Sequence, residues 1–215
     1  MEEGSLEMDK LTLSPTYEVT KVLNPIPEAR KFKQNLLYRH NPFLIKTESI
    51  PFEKFKIKDN CYGQYVVIPV SKWFRKQLDC IEEYVTLNIS LPSPLSDKWK
   101  ARDDKDTPYR KIWDGDELFV PLSKWCQFLK CENDCLKQIS QSDFGDGTYE
   151  ISVSISGVFY GEHKENKLAS ITMFVQSIVY KPKEDNVDAI IDEILKGSGE
   201  HPSKHAKRRR KKETV

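Results

Sequence analysis

The sequence lacks any apolar run near the ~18 residues that a membrane-spanning helix needs. Its first ten residues, MEEGSLEMDK, are acidic, and no apolar stretch follows them. A secretory signal needs a basic start and an apolar segment, and a mitochondrial presequence is poor in acidic residues. These absences predict a soluble, intracellular protein with no membrane partner.

Motifs of the common enzyme classes are also missing. The chain has no G-x-x-x-x-G-K-S/T, no G-x-G-x-x-G, no H-E-x-x-H and no G-x-S-x-G. The four histidines, His40, His163, His201 and His205, are scattered. The sequence DFGDG at Asp143 contains a kinase triplet without a preceding Gly-rich loop or H-R-D segment, and is typical of a hairpin turn. We therefore predict a protein that is not an enzyme and that uses no cofactor.

The odd number of cysteines, five, and the absence of a secretory signal make a disulfide framework an unfavourable interpretation. Cys126, Cys131 and Cys135 follow the spacing C-x4-C-x3-C, so a zinc site has to be considered. A closed zinc site needs four ligands, and neither a C-x2-C pair nor a nearby histidine supplies the fourth. The pattern favours buried free thiols and no bound metal, although it leaves metal binding open.

Charge is unevenly distributed along the 215 residues. Eight basic and two acidic residues give positions 196–215 a balance of +6, so the other 195 residues total −5 for a net charge of +1. The aromatic content of 11% indicates at least one hydrophobic core. The body is mildly acidic and the end of the chain is strongly basic.

Composition predicts four segments. Residues 1–28 have few apolar side chains and three prolines, which is typical of a flexible leader, and residues 29–182 form a single β-rich domain. Residues 183–197 have the pattern of a short amphipathic helix, and residues 198–215 that of a disordered basic tail. The apolar face near Ile190 either packs on the body or binds a protein partner.

The tail contains KHAKRRRKK, in which seven of nine residues are basic. A block of one charge sign is typical of a nuclear import signal or of a phosphate-binding arm. We predict a nuclear protein that an import receptor recognises through Lys204, Lys207, Arg208, Arg209, Arg210, Lys211 and Lys212.

A short pattern occurs twice, as IPVSKWF from Ile68 and as VPLSKWC from Val120, 52 positions apart. In each copy an apolar, strand-like run precedes Ser-Lys-Trp, and apolar residues follow at close to helical spacing. Each copy therefore predicts a strand, a helix capped by serine and a second strand, with the tryptophan anchoring the helix to the sheet. Chance reuse of favourable local chemistry explains the pattern equally well.

Between the copies, SDKWKARDDKDTPYRKIWDGDE is long for a structureless connection, so it is functional or mobile. It interleaves aromatic and basic residues, and single-stranded nucleic acids are bound by aromatic rings that stack on bases beside cations that contact phosphates. The predicted nucleic-acid site comprises Trp99, Tyr109, Trp113, Lys98, Lys100, Arg102, Arg110 and Lys111.

The last third gives the clearest pattern of secondary structure. In TYEISVSISGVFY apolar and polar residues alternate, a polar turn follows, and LASITMFVQSIVYKP is a second strand, which predicts an antiparallel hairpin. The whole stretch, about 35 residues, resembles the closing strands of phage and viral single-stranded-DNA-binding proteins of the OB type. Val175, Gln176, Ile178 and Val179 occupy the matching positions of the second strand. Those proteins tend to end in an acidic tail, whereas this chain ends in a basic one.

The predicted fold is mainly β with inserted helices, of the α+β class, and the resemblance implies an OB-like antiparallel barrel. It also implies single-stranded nucleic acid as the class of ligand. We therefore predict a protein that binds single-stranded nucleic acid, DNA in the first place, and that belongs to a replication system or to a virus or mobile element. The alternative is a nuclear module that binds protein or serves a structural role, with no nucleic-acid activity in its body. Homo-oligomerisation, sequence preference and the choice between DNA and RNA stay open.

Overall fold

The computed structural model of the chain divides into two units, Met1–Pro182 and Lys183–Val215. The structure describes residues 6–19, 32–61, 63–101, 107–111, 113, 115–161 and 168–183. The predicted amphipathic helix near Ile190 and the predicted basic tail, with its import signal from Lys204 to Lys212, lie outside the described residues.

Strands outweigh helices in the described residues. The strands are β1 (Leu11–Leu13), β2 (Tyr17–Glu18), β3 (Phe32–Gln34), β4 (Leu36–Tyr38), β5 (Phe43–Lys46), β6 (Ile50–Pro51), β7 (Lys56–Asn60), β8 (Gly63–Pro69), β9 (Tyr109–Arg110), β10 (Glu117–Glu132), β11 (Cys135–Gln138), β12 (Gly147–Tyr160) and β13 (Ala169–Pro182). The α-helices are α1 (Lys72–Asn88) and α2 (Ser93–Lys100), and three single 3-10 turns cover Met8–Lys10, Phe52–Lys54 and Gln141–Asp143.

One large sheet organises the body. Its strand order is β2-β3-β12-β13-β10-β8-β7, with β5 and β6 also paired to β12, β9 to β13, and β11 to β10. β1 and β4 form a separate two-stranded sheet. The sheet curls into a half-barrel, so the predicted class, mainly β with inserted helices, is confirmed.

The predicted hairpin is confirmed as β12 and β13, which pair antiparallel from Gly147–Pro182 to Tyr160–Ala169. Along β13 the buried residues Ile171, Met173 and Val175 alternate with more exposed ones, as the sequence pattern predicts. Two bulges interrupt the register, and one of them places Ser156 outside the ladder.

The first copy of the repeated pattern forms the predicted strand and serine-capped helix. Ser71 caps α1, because its side-chain oxygen accepts a hydrogen bond from the Phe74 amide. Phe74, Leu78 and Ile81 are buried on one face of the helix, in the same core as the sheet. The second strand predicted after this helix is wrong, because α1 continues through residues 85–88.

The second copy does not form a helix, and that prediction is wrong. Residues 117–132 are one strand, β10, which pairs antiparallel with β8 through residues 117–121 and parallel with β13 through residues 127–130. A turn at Asn133 and Asp134, both with positive φ, returns the chain as β11. The residues predicted to be a helix therefore form a strand within the large sheet, and this strand continues into the β10–β11 hairpin.

Part of the predicted flexible leader is ordered within the fold. Leu11 is 2% exposed and belongs to the core, and β1 pairs with β4. Ser14 accepts a hydrogen bond from the buried amide of Gln34, whose oxygen accepts one from the Tyr160 hydroxyl. Burial raises the pKa of Tyr160 to about 12. The leader prediction is thus wrong for residues 6–18, which belong to the folded body.

Aromatic side chains close one end of the core. The Tyr149 ring is stacked on Phe55, with 4.0 Å between centroids, and on Tyr180 at 5.2 Å. Phe144 meets the edges of all three rings. The hydroxyl of Tyr149 donates to the Gly145 carbonyl at 2.5 Å, so this cluster also holds the loop before β12.

Among the described residues, no helix combines the length and apolar character that crossing a membrane requires.

Candidate nucleic-acid interface

The rings of the predicted loop site are mostly in the core. Tyr109 is 5% exposed and Trp113 is 6% exposed. The Tyr109 hydroxyl donates a hydrogen bond to the Glu82 carboxylate at 3.3 Å. Burial is the main reason why the pKa of Tyr109 is raised above its usual range, and the charge of Glu82 raises it further. The expectation that these rings are available for stacking is wrong, because neither can meet a base without leaving the core.

Two cations contact the Trp113 ring. The Arg75 guanidinium lies 4.7 Å from the indole centroid and the Lys111 ammonium lies 4.6 Å from it. Arg75 is also paired with Asp116 at 2.8 Å. Because Arg75 belongs to α1, its contact with Trp113 attaches the connection between α2 and β10 to that helix.

The other members of the predicted site are dispersed. Lys98 and Lys100 are exposed on α2, and the half-buried Trp99 lies between them. Arg110 belongs to β9 at an edge of β13, and Arg102 lies outside the described residues. The structure therefore does not bring the seven described residues of the predicted site together into one surface.

A different surface has the expected chemistry, on the face of the large sheet opposite the core, called here the outer face. Ser170, Thr172 and Phe174 alternate along β13 with the buried side chains of Ile171 and Met173, so all three lie on this face. Ser170 and Thr172 are small, polar and partly exposed on this face, and Phe174 is exposed.

One line of residues crosses the outer face and is called here the aromatic row. The register pairs Lys58 with Tyr65, Tyr65 with Pro121, Phe174 with Ser154, and Ser154 with Leu44. Pro121 and Phe174 each precede the paired residues Leu122 and Val175, which joins the two halves. The aromatic row comprises Leu44, Ser154, Phe174, Pro121, Tyr65 and Lys58.

Most of the aromatic row is exposed, and Tyr65 and Ser154 are partly exposed. Phe174 is 37% exposed and Leu44 is 52% exposed. Phe119, two residues before Pro121 on the same face, is 55% exposed, and its ring lies 5.8 Å from that of Tyr65. Large apolar side chains that cluster on a surface, rather than occurring singly, are typical of a binding site.

The second Ser-Lys-Trp copy forms a bulge in β10 beside this row. Between the Leu122–Val175 and Gln127–Ser177 pairs, residues 123–126 lie opposite Gln176 alone. The Ser123 hydroxyl accepts a hydrogen bond from the Trp125 amide, which turns the chain outward. Trp125 is 70% exposed, and the Lys124 ammonium lies 5.0 Å from its ring centroid.

Cations surround these rings. Lys56 and Lys58 are exposed on β7, and Lys46 is exposed on β5, where it pairs with Ser152 of β12. The carboxylate of Glu150, on the same face, is bound by Lys181. The outer face thus offers ammonium groups beside exposed rings, which is the combination that single-strand binding uses.

The three clustered cysteines do not share one face of the structure. Cys131 pairs with Leu136 and Cys135 with Glu132, so adjacent positions put the two thiols on opposite faces of the β10–β11 hairpin. Among the described residues, no group of three histidine, cysteine or acidic side chains could hold a metal ion. Cys126 is partly buried, which raises its thiol pKa to about 11, whereas Cys135 is exposed, so the prediction of buried thiols is wrong for Cys135.

One sequence pattern could have predicted the exposed position of Trp125, although it also fits the predicted helix cap. In VPLSKWCQF the serine precedes a tryptophan by two residues, which fits a Ser turn as well as a helix cap. Phe119 alternates with the buried Leu118 and Val120, so its exposure follows from the strand pattern. Phe174 follows from the same alternation in β13.

Comparisons with protein-family models, with curated proteins and with solved structures found no match to this chain.

Proposed function

We propose that this protein binds single-stranded nucleic acid, in the first place DNA, on the outer face of its sheet, without catalysing a reaction. The observation that carries the proposal is the β10 bulge, which holds the Trp125 indole 70% exposed beside Lys124. Exposing a tryptophan this far has no benefit for folding, because the ring loses the burial that would stabilise it. It has a clear benefit if a base stacks on it.

The aromatic row and the neighbouring Phe119 supply further stacking positions. Tyr65, Phe119 and Phe174 lie on the same face, and each ring can accept any base because stacking is tolerant of sequence. Lys46, Lys56 and Lys58 are placed to contact phosphates. A few stacked bases at ~1–3 kcal/mol each are sufficient for binding even though the body is mildly acidic overall.

The curled sheet supports an OB-like interpretation of the fold. OB-type proteins bind single strands on a face of a partly open antiparallel barrel, and here the exposed rings lie on strands of a half-barrel. The parallel pairing of β10 with β13 departs from a purely antiparallel barrel. We propose an OB-like module of a viral or mobile-element replication system, addressed to the nucleus by the basic segment from Lys204 to Lys212.

The test uses fluorescence anisotropy of labelled oligo-dT with the full chain. Trp125→Ala should weaken binding of dT12 about tenfold, since the loss of one stack at ~1–3 kcal/mol spans the ~1.4 kcal/mol of a factor of ten. Leu87→Ala is the matched control, because Leu87 is also 70% exposed but lies near the end of α1. It should bind like the parent chain.

Salt dependence gives a second, independent measurement. Lys124→Ala should reduce the slope of log K against log salt by about 0.7, the contribution of one phosphate contact on a single strand. Lys72→Ala, the same position in the first copy, is exposed on α1 and should leave the slope unchanged. If the parent chain does not bind dT12 in 50 mM salt, the proposal is overturned and the alternative, a protein-binding surface, takes its place.

A further inference from the structure

A second line of residues crosses the outer face and is called here the cationic row. The register pairs Tyr17 with Lys33, Lys33 with Phe159, Phe159 with Ser170, and Ser170 with Arg110. The row therefore joins five strands in the order β2, β3, β12, β13 and β9. Its members come from positions 17 to 170 of the chain, and no local motif groups them.

Lys33 is the central feature of the cationic row. Its ammonium donates to the Ser156 hydroxyl at 3.0 Å and lies 5.1 Å from the Phe159 ring centroid. Burial lowers the pKa of this amine, since the charged form has lost part of its hydration. Within the described part of the chain, no carboxylate lies within ion-pair distance of Lys33.

A half-buried cation of this kind is suited to an anionic ligand. The partly dehydrated ammonium gains more from a phosphate than a fully solvated one does, because the local dielectric is lower. Arg110, on the same row, adds a guanidinium, which matches phosphate geometry with two donors. Tyr17, 42% exposed at the other end, adds a ring.

The two rows share one face and are close together. Ser170 of the cationic row and Phe174 of the aromatic row are four residues apart on β13, and the intervening Thr172 also lies on the outer face. Four residues of strand span roughly 13 Å. A single strand laid along β12 and β13 can therefore contact both rows at once.

We infer that the cationic row is a second subsite for the same strand, so that the ligand runs along β12 and β13 and contacts both rows. This inference rests on the proposed function and adds to it the direction of the bound strand and a longer binding site. The ligand is then a single strand of several nucleotides, within the ~4–16 that one OB-type module occupies. A single nucleotide or dinucleotide would fill one row only.

The experiment measures affinity against oligo-dT length, from dT2 to dT12, for the full chain and for Lys33→Gln/Arg110→Gln. The affinity of the double variant should level off at a short oligonucleotide length. The affinity of the parent chain should continue to rise beyond that length. On dT12 the double variant should bind about tenfold more weakly at 0.15 M salt, with a salt slope lower by about 1.4, because two phosphate contacts are lost. On the shortest oligonucleotides the two proteins should bind alike.

A charge-preserving variant separates phosphate contact from packing. Lys33→Arg/Arg110→Lys keeps both charges and should restore most of the affinity for dT12. Tyr17→Ser removes an exposed ring and leaves the Lys33 side chain in place. It should also weaken binding of dT12 but not of the shortest oligonucleotides. It keeps the inference testable if Lys33→Gln/Arg110→Gln does not fold.

The outcomes are distinguishable. If the parent chain binds dT12 and the Lys33→Gln/Arg110→Gln and Tyr17→Ser variants bind every length as the parent does, the second subsite is wrong while the proposed function stands. A loss of equal size at all lengths also overturns the inference, because it indicates a general effect on the aromatic row. If the parent chain binds no oligo-dT at any length, the proposed function itself fails.

Discussion

The two Ser-Lys-Trp segments have nearly the same sequence and opposite structures. In the first, the Ser71 hydroxyl accepts from the amide three residues later and starts α1. In the second, the Ser123 hydroxyl accepts from the amide two residues later and turns a bulge in β10. Trp73 is half-buried against the core, and Trp125 is 70% exposed.

The difference arises from what surrounds each segment. After the first copy, residues 74–85 have apolar side chains at helical spacing, and the core lies on one side of them. After the second, Phe128 and Ile178 pair along β10 and β13, so the neighbouring strand supplies the hydrogen bonds that a helix would have made internally. A serine cap is therefore a local option that the tertiary context selects or rejects.

The residue that follows each Ser-Lys-Trp should show the largest contrast. Phe74 is 1% exposed in the core, and Phe74→Ala should lower the free energy of unfolding by about 3–5 kcal/mol. Cys126, at the same position of the second copy, is only partly buried, and Cys126→Ala should cost less than about 1 kcal/mol. Equilibrium urea denaturation of both variants measures the contrast. Equal losses would mean that the bulge is packed as tightly as the helix.

The tryptophans themselves should differ less in stability and more in binding. Trp73→Ala removes a half-buried ring and should lower the free energy of unfolding by about 2 kcal/mol, below the usual range for a fully buried ring. Trp125→Ala should change it by less than about 0.5 kcal/mol, since the ring is mostly in water. Thermal melts of both variants measure the change in stability, and the affinity for dT12 measures the change in binding. A Trp125→Ala protein that melts early would return Trp125 to a structural role.

The serines should give the smallest contrast. Ser71→Ala removes a helix cap and should cost ~1 kcal/mol, whereas Ser71→Asp should retain most of the stability because aspartate also caps helices. Ser123→Ala removes one exposed hydrogen bond of the bulge and should cost a few tenths of a kcal/mol. The comparison is contradicted if Ser123→Ala destabilises the protein as much as Ser71→Ala does, as measured by chemical denaturation.

Local patterns predicted the elements whose partners are near in sequence. The β12–β13 hairpin was predictable because both strands alternate and a short polar turn joins them. α1 was predictable because a cap precedes an amphipathic run. In both cases the information lies within about 35 residues.

Elements that depend on distant partners were not predictable in this way. Trp125, Phe128 and Leu129 have a spacing that suits a helix, and only the pairing of β10 with β8 and β13 makes the segment a strand. The candidate surface has the same origin, since its residues become neighbours through strand register. The burial of Trp113 was not predictable either, because the polar composition of its segment does not reveal that the ring enters the core with two cations in contact with it.

The pairing of β3 with β12 sets a condition on the timing of folding. Lys33 and Ser156, which are hydrogen-bonded, are 123 positions apart, and Tyr160 and Gln34 are 126 apart. During synthesis at ~5–20 residues per second, the N-terminal strands wait on the order of ten seconds for their partners, with unpaired edges exposed. Such long-range pairing also slows the folding reaction itself, because loop closure precedes any gain from contact. A chain that stops before β13 would therefore leave β10 and β12 without their shared partner, as a substrate for chaperones rather than a smaller folded domain.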